Sequence, residues 1–262
     1  MSAAPPIVAF AAAARFGSET VFDDLRFEVE RGEFLCILGP SGCGKSTALR
    51  LIGGLLAPSA GGVSIDGKPA EESWQRLAFV FQAPRLVPWR NARDNVALAL
   101  ELRDPAVSKT ERQARAQRLL ERMGLAADAR KFPRMLSGGE RQRVALARAL
   151  AVEPEIVLMD EPFSALDINT RQRLRQELIE LWREARKTIV FVTHDIDEAL
   201  VLADRILVFS GKPTRVLDVL DIEAPRPRRI EDLPELGAQR VRLHTLFRSL
   251  GDGAIAASEE PS

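Results

Sequence analysis

The chain has no tyrosine, only two cysteines and only two histidines in 262 residues, and its 37 Lys and Arg are balanced by 37 Asp and Glu. Each shortage narrows the field. Cys36 sits in an apolar run and Cys43 in a glycine-rich turn; such a pair makes no disulfide framework and suits a reducing environment. A formal net charge of zero gives no reason to expect nucleic acid as the main partner. No cluster of His, Cys, Asp and Glu has metal-ligand spacing, and nothing repeats at solenoid length. The N-terminus lacks a basic n-region and its apolar stretch, Ile7 to Ala14, is short. Neither a signal peptide nor a transmembrane helix is therefore expected, and the cytoplasm is the expected compartment.

Apolar residues are not scarce. At 46% hydrophobic, 262 residues can bury a full core as one large α/β domain or two intimate subdomains. Charge is unevenly spread: between Trp89 and Leu150, 14 Lys or Arg stand against 7 Asp or Glu. The basic stretch Lys109 to Arg122 reads as a solvated helix face.

The most informative stretch is Gly39, Pro40, Ser41, Gly42, Cys43, Gly44, Lys45, Ser46 and Thr47, which fits GxxxxGK[ST], the phosphate-binding loop pattern. Its context is what that loop requires. Phe34 to Leu38 is a continuous apolar run, as expected of a strand covered on both faces, and Leu49, Leu51, Ile52, Leu55 and Leu56 give the following segment a helical face. Gly39, Gly42 and Gly44 let the backbone turn tightly, so that N–H groups and a helix dipole surround a β-phosphate. Lys45 would reach the β- and γ-phosphates, and the Ser46 hydroxyl would coordinate Mg²⁺. Cys43, among these amides and near Lys45, is either a small residue filling the loop or a thiol whose surroundings favour the thiolate.

Other short apolar runs also end in polar residues. Leu77 to Phe81 precedes Gln82; Ile156 to Met159 precedes Asp160 and Glu161; Thr188 to Thr193 precedes His194. In an open parallel sheet, ligands bind beyond the carboxyl ends of the strands, so these side chains are expected to face the nucleotide. Ile7 to Asp66 mixes short strands with turns such as Asp66-Gly67 and predicts an antiparallel sheet beside this core. Asn95 to Leu102, Thr110 to Met123 and Gly138 to Ala151 predict a helical insertion, about residues 89–150. Arg205 to Phe209 is the last predicted strand. A short amphipathic helix is expected from Leu236 to Leu250, and the remaining C-terminal residues form a predicted disordered tail.

The second strong motif is Leu136, Ser137, Gly138, Gly139, Glu140, Arg141, Gln142. Ser137 with Glu140 forms a capping-box pattern opening a helix toward Ala151. Two glycines in a first turn weaken a helix by roughly 1 kcal/mol each, a cost that makes sense if a phosphate must approach the exposed N–H groups.

From Phe16 to about Phe209 the chain now resembles the ATP-binding cassette family, the nucleotide-binding subunits of transporters. The motifs occur in the family's order: the phosphate loop, Gln82, the Leu136 to Gln142 signature, the Ile156 to Asp160 strand, Ser164-Ala165-Leu166-Asp167 and His194. The resemblance implies a P-loop NTPase core with a parallel sheet, an N-terminal antiparallel β subdomain and a helical signature subdomain. That makes a single ATPase domain over 1–225, with 226–262 as a C-terminal extension. It implies ATP and Mg²⁺, with Asp160 and Ser46 holding the metal, Gln82 sensing metal and γ-phosphate, Glu161 as general base and His194 as the switch histidine. Ser137, Gly138 and Gly139 would contact ATP held by a second copy in a head-to-tail dimer. The family's adenine-stacking tyrosine is replaced by Phe16, which either stacks or packs in the core.

Ala83 to Val96, with its Leu86-Val87-Pro88-Trp89-Arg90 core, resembles the importer subgroup for nitrate, aliphatic sulfonates and taurine, as does Pro225-Arg226-Pro227-Arg228. The implied partners are integral membrane permease subunits, a second copy of the chain and, indirectly, a periplasmic or lipid-anchored solute-binding protein, with no nucleic acid. The implied location is the cytoplasmic face of the membrane. A lipid or efflux ATPase remains an alternative. So does a DNA-repair or translation cassette, although those relatives generally carry coiled-coil or zinc insertions, or two cassettes, that are lacking here.

Overall fold

In a computed structural model, which describes residues 5–164 and 166–256, the chain forms two compact units. The first combines the chain up to Ser73 with the chain from Thr188 onward, and the second is Trp74–Lys187.

The first unit begins with β1 (Val8–Phe16), β2 (Glu19–Val29) and β3 (Phe34–Leu38), followed by α1 (Lys45–Ile52), β4 (Ala60–Ile65) and the short β5 (Lys68–Pro69). β1, β2, β4 and β5 make an antiparallel sheet in the order β2-β1-β4-β5. Gly61 lets β4 approach β1 closely: with φ +74, a Cβ there would lie 2.1 Å from the Ala11 carbonyl oxygen. β3 leaves that sheet, and all five of its residues are buried. A strand covered on both faces needs such an uninterrupted apolar run.

The second unit contains β6 (Leu77–Val80), α2 (Ala92–Arg103), α3 (Lys109–Arg122), α4 (Gly138–Leu150), β7 (Ile156–Asp160) and α5 (Ile168–Ala185). β6 and β7 are parallel, with Val80 opposite Met159. Three helix starts are capped by their own side chains: Asn91, Ser108 and Asp167 accept from the backbone N–H three residues on. α3 buries only Ala116 and Leu120, so its basic face is solvated.

The chain returns to the first unit with β8 (Thr188–Thr193), α6 (Ile196–Leu202), β9 (Arg205–Phe209), β10 (Val216–Asp221) and α7 (Pro234–Ala256). β3 runs parallel to both β8 and β9, and β10 is antiparallel to β9. This is the P-loop NTPase type of α/β fold, with an antiparallel N-terminal sheet and a helical stretch between β6 and β7.

Two expectations need correction. Arg205 to Phe209 is not the last strand, because β10 follows it. The three-residue repeat Val-Leu-Asp-Val-Leu-Asp hides the two-residue period, and an irregularity between Val216 and Asp218 shifts the register. The C-terminal helix starts at Pro234 and continues to Ala256, beyond the predicted end at Leu250. The final residues of the expected tail, 257–262, and Ala165 of the Ser164 to Asp167 motif lie outside the described residues.

Candidate active site

In the first unit, the register pairs Leu38 of β3 with Thr193 of β8, so Gly39 and His194 leave the same edge of a parallel sheet on neighbouring strands. From Gly39 the chain makes the tight turn that the glycines allow. Gly42 has φ +78 and Gly44, the N-cap of α1, has φ +111; a Cβ on Gly44 would lie 2.4 Å from Val21 Cγ1. No L side chain fits that position. The Lys45 Nζ donates to the Gly39 and Pro40 carbonyl oxygens at 2.8 and 2.9 Å, holding the ammonium against its own loop. Ser46 and Thr47 occupy the first turn of α1, where the helix dipole favours anions. Sequence reasoning missed one support of this loop, the buried Thr214, whose hydroxyl donates to the Cys43 carbonyl and whose N–H donates to Val21 O at 2.7 Å. Nothing in the local sequence around Lys212-Pro213 signals that role.

Cys43 departs from the thiolate reading. It is 2% exposed, and burial raises its thiol above the usual range despite the opposing influence of Lys45. Desolvation outweighs the nearby charge. Cys43 is the small residue that fills the loop, with Sγ 3.0 Å from where a Gly39 Cβ would stand.

His194 is exposed and lies between Thr193 and Asp195. Thr193 Oγ1 donates to the buried Glu198 carboxylate at 2.7 Å and accepts from Asp195 N at 3.0 Å, while Asp195 caps α6. Phe16, 47% exposed, ends β1 beside the Gly17 turn.

In the second unit, Gln82 and Glu161 are brought together. Val80 pairs with Met159, so the two residues leave adjacent parallel strands at equivalent points. Gln82 Nε2 lies 3.4 Å from Glu161 Oε2 and 3.3 Å from Ser164 Oγ, and Ser164 Oγ donates to the Glu161 carbonyl at 3.0 Å. Asp160, the last residue of β7, is buried at 6% exposure. Glu161 has φ +42, an uncommon conformation for a non-glycine residue and one that concentrates at functional sites. In this unit the Asp160 carboxylate and the Gln82 amide carry hard oxygens of the kind Mg²⁺ takes, and in the first unit the Ser46 hydroxyl does so by itself.

The predicted capping box is present: Ser137 Oγ accepts from Glu140 N at 3.2 Å, and Glu140 Oε2 accepts from Ser137 N at 2.6 Å. The two glycines after it differ. A Cβ on Gly138 would meet nothing, leaving the helix start open to an approaching group, whereas one on Gly139 would lie 2.6 Å from Thr170 Cγ2. Gly139 thus has a packing reason of its own.

A family model described as ABC transporter matches residues 22–164. The chain belongs to the ABC transporter family. Its ABC cassette is 45% identical over 220 residues to a nitrate import ATP-binding protein of Synechococcus elongatus, covering 84% of this chain and 80% of the relative. It is 43% identical over 255 residues to an aliphatic sulfonates import ATP-binding protein of Burkholderia cenocepacia, covering 96% and 91%. A taurine import ATP-binding protein of Pseudomonas aeruginosa is 44% identical, covering 90% and 92%. Among solved structures, a dimeric post-hydrolysis state of the ATP-binding cassette MJ0796 bound to ADP and Pi matches with a TM-score of 0.74 and 36% identity, over 83% of this chain and all of that one. The chain is therefore an ATPase of this family.

The burial of Cys43 sets an expectation for the ABC cassette itself. Iodoacetamide should modify the folded chain at Cys43 at least ~100-fold more slowly than the unfolded chain, with or without ATP. Peptide mass mapping reads this directly, and labelling of the native chain at the unfolded rate would show an accessible thiolate instead.

Proposed function

We propose that this ATPase hydrolyses MgATP at the shared sites of a head-to-tail dimer and powers import of a small anionic or zwitterionic solute of the nitrate, sulfonate or taurine kind. The observation that carries the catalytic part is the Gln82–Glu161 approach of 3.4 Å at the ends of two parallel strands, with Glu161 in a left-handed turn directly after the buried Asp160.

In this reading the phosphate-loop amides and Lys45 bind the β- and γ-phosphates, and Phe16 stacks on the adenine. Asp160, Ser46 and Gln82 hold Mg²⁺, which when bound neutralises phosphate charge. Glu161 orients a water and accepts its proton as the new oxygen–phosphorus bond forms and the bond to the β-phosphate oxygen breaks, releasing ADP. His194 steadies the γ-phosphate. Ser137, Gly138 and Gly139 of a second copy complete each site, Gly138 offering the open helix start.

Coupling would run through the segment after Gln82. Asn95 is fully buried and ties that turn together, accepting from Val87 N at 2.7 Å and donating to Val87 O, Arg90 O and Asn91 O. The turn carries Trp89 at 77% exposure, while Arg90 is paired with Glu101 at 2.9 Å. A groove of about 340 Å³ in the same unit is lined by Trp74, Phe79, Phe81, Leu98 and Leu102, an apolar surface suited to a permease helix. Among the described residues no helix is long and apolar enough to cross a membrane, so passage of the solute falls to separate permease subunits at whose cytoplasmic face this chain docks. A periplasmic or lipid-anchored binding protein would deliver the solute. The importer reading over an exporter one is supported by the import names of the relatives.

Glu161→Gln should keep ATP affinity and lower kcat by at least ~100-fold. Measured on the purified complex, hydrolysis near the wild-type rate would remove Glu161 from the role of base. For the cargo, a strain lacking the gene should lose uptake of nitrate, taurine or an alkanesulfonate, and Trp89→Ala should reduce that uptake with ATP affinity unchanged. A lipid-asymmetry or efflux defect with all three uptakes intact would overturn the importer assignment.

A further inference from the structure

The segment from Ile222 to Arg240 grips the short helix α6 from both ends. At its C-terminal end stands Arg228, only 5% exposed. Its Nη1 donates to Leu200 O at 3.1 Å and to Ala203 O, its Nη2 to Ile222 O at 3.0 Å and its Nε to Ala224 O at 2.6 Å. Arg226 Nη1 donates to Leu202 O at 2.7 Å, and its Nη2 pairs with Asp204. Three carbonyl groups at the end of α6 are thus taken by two guanidinium groups. Burying a guanidinium is costly, and the negative end of a helix is one of the few places that offsets the cost. Burial lowers the Arg228 pKa to about 10, which still leaves the group charged at neutral pH.

At the N-terminal end, Arg240 of α7 pairs with Asp197 in the first turn of α6, Nε at 2.7 Å and Nη2 at 2.8 Å. The same first turn is bound to the residues on either side of His194. Thr193 donates to Glu198, and Asp195 accepts from Glu198 N at 3.0 Å. α6 buries Ile196, Glu198, Ala199, Leu200 and Leu202, and because its first turn is bonded to the residues flanking His194, whatever orients α6 also orients the histidine loop. The grip extends to β3: Asp204 accepts from Phe34 N at 2.9 Å, and the Arg226 guanidinium lies 5.6 Å from the Phe34 ring.

We infer that Arg226, Arg228 and Arg240 are positioning residues for His194, and that the C-terminal segment holds α6 so that the histidine loop keeps its place beside the phosphate loop. The inference rests on the role given to His194 above. It also supplies a physical reason for Pro225-Arg226-Pro227-Arg228, which the catalytic motifs leave unexplained. Two prolines, each followed by an arginine, restrict the backbone where the guanidinium groups reach the helix end.

The test uses the full-length chain and its steady-state ATP hydrolysis. Arg240→Ala, at a half-exposed side chain, should fold normally, lower kcat about fivefold and leave KM for ATP within about twofold. Arg240→Lys should recover most of that loss. Arg240→Ala combined with His194→Ala should be no slower than His194→Ala alone, because both act through one group. Arg228→Lys should show the same kcat effect in the fraction that folds, measured by circular dichroism. An unchanged kcat for Arg240→Ala beside a severely slowed His194→Ala would overturn the clamp while leaving the role of His194 intact. Multiplying losses in the double variant would also overturn it. A His194→Ala variant at the wild-type rate would remove the role of His194, and the inference with it.

Discussion

In the proposed function, phosphate binding depends on one backbone constraint, the turn from Gly39 to Lys45. A fully buried strand ends and a helix begins within a few residues, and the proposed site requires N–H groups at that helix start for the phosphates. Gly42 at φ +78 and Gly44 at φ +111 make that possible. The turn is braced from outside: Val21 of β2 stands where a Gly44 side chain would be, and Thr214 holds the Cys43 carbonyl. The antiparallel sheet and the 210–215 loop are thus part of the phosphate loop's support. Fold and site are built from the same contacts.

The second unit applies a different device. Two parallel strands in register deliver Gln82 and Glu161 to neighbouring positions, and the serine three residues after Glu161 ties the turn to the glutamine. Holding a glutamate at φ +42 immediately before Pro162 is costly, since proline already restricts the residue preceding it. A strained acid next to a buried aspartate suits water activation better than a mere strand end.

Much of this was legible beforehand because the relevant signals are local. The apolar runs of β3, β7 and β8 stand out as strands buried on both faces, Ser137 and Glu140 announce their capping box, and the glycines of the phosphate loop have no substitute. What escaped was long-range. Thr214 reaches Cys43 across 171 residues of chain, and Arg228 finds helix carbonyls some 25 positions earlier, neither of which a local pattern can encode. Gly139 reads as an opening for a phosphate, yet Thr170 crowds it. Between the two readings of Cys43 only the structure decides, for an energetic reason: a sequence shows the neighbouring lysine but not the burial that outweighs it. β10 was hidden because its apolar residues repeat every three positions on an irregular edge strand.

The account stands on the claim that the turn at Gly39 to Thr47 binds the phosphates of ATP, with Lys45 as the charge that completes the cradle. Equilibrium binding of a fluorescent ATP analogue to the wild-type chain and to Lys45→Ala tests it most directly, with folding of both checked by circular dichroism. The account predicts that Lys45→Ala weakens ATP binding by at least ~10-fold, through loss of a charge-assisted contact. Equal ATP affinity for the two folded proteins would contradict it.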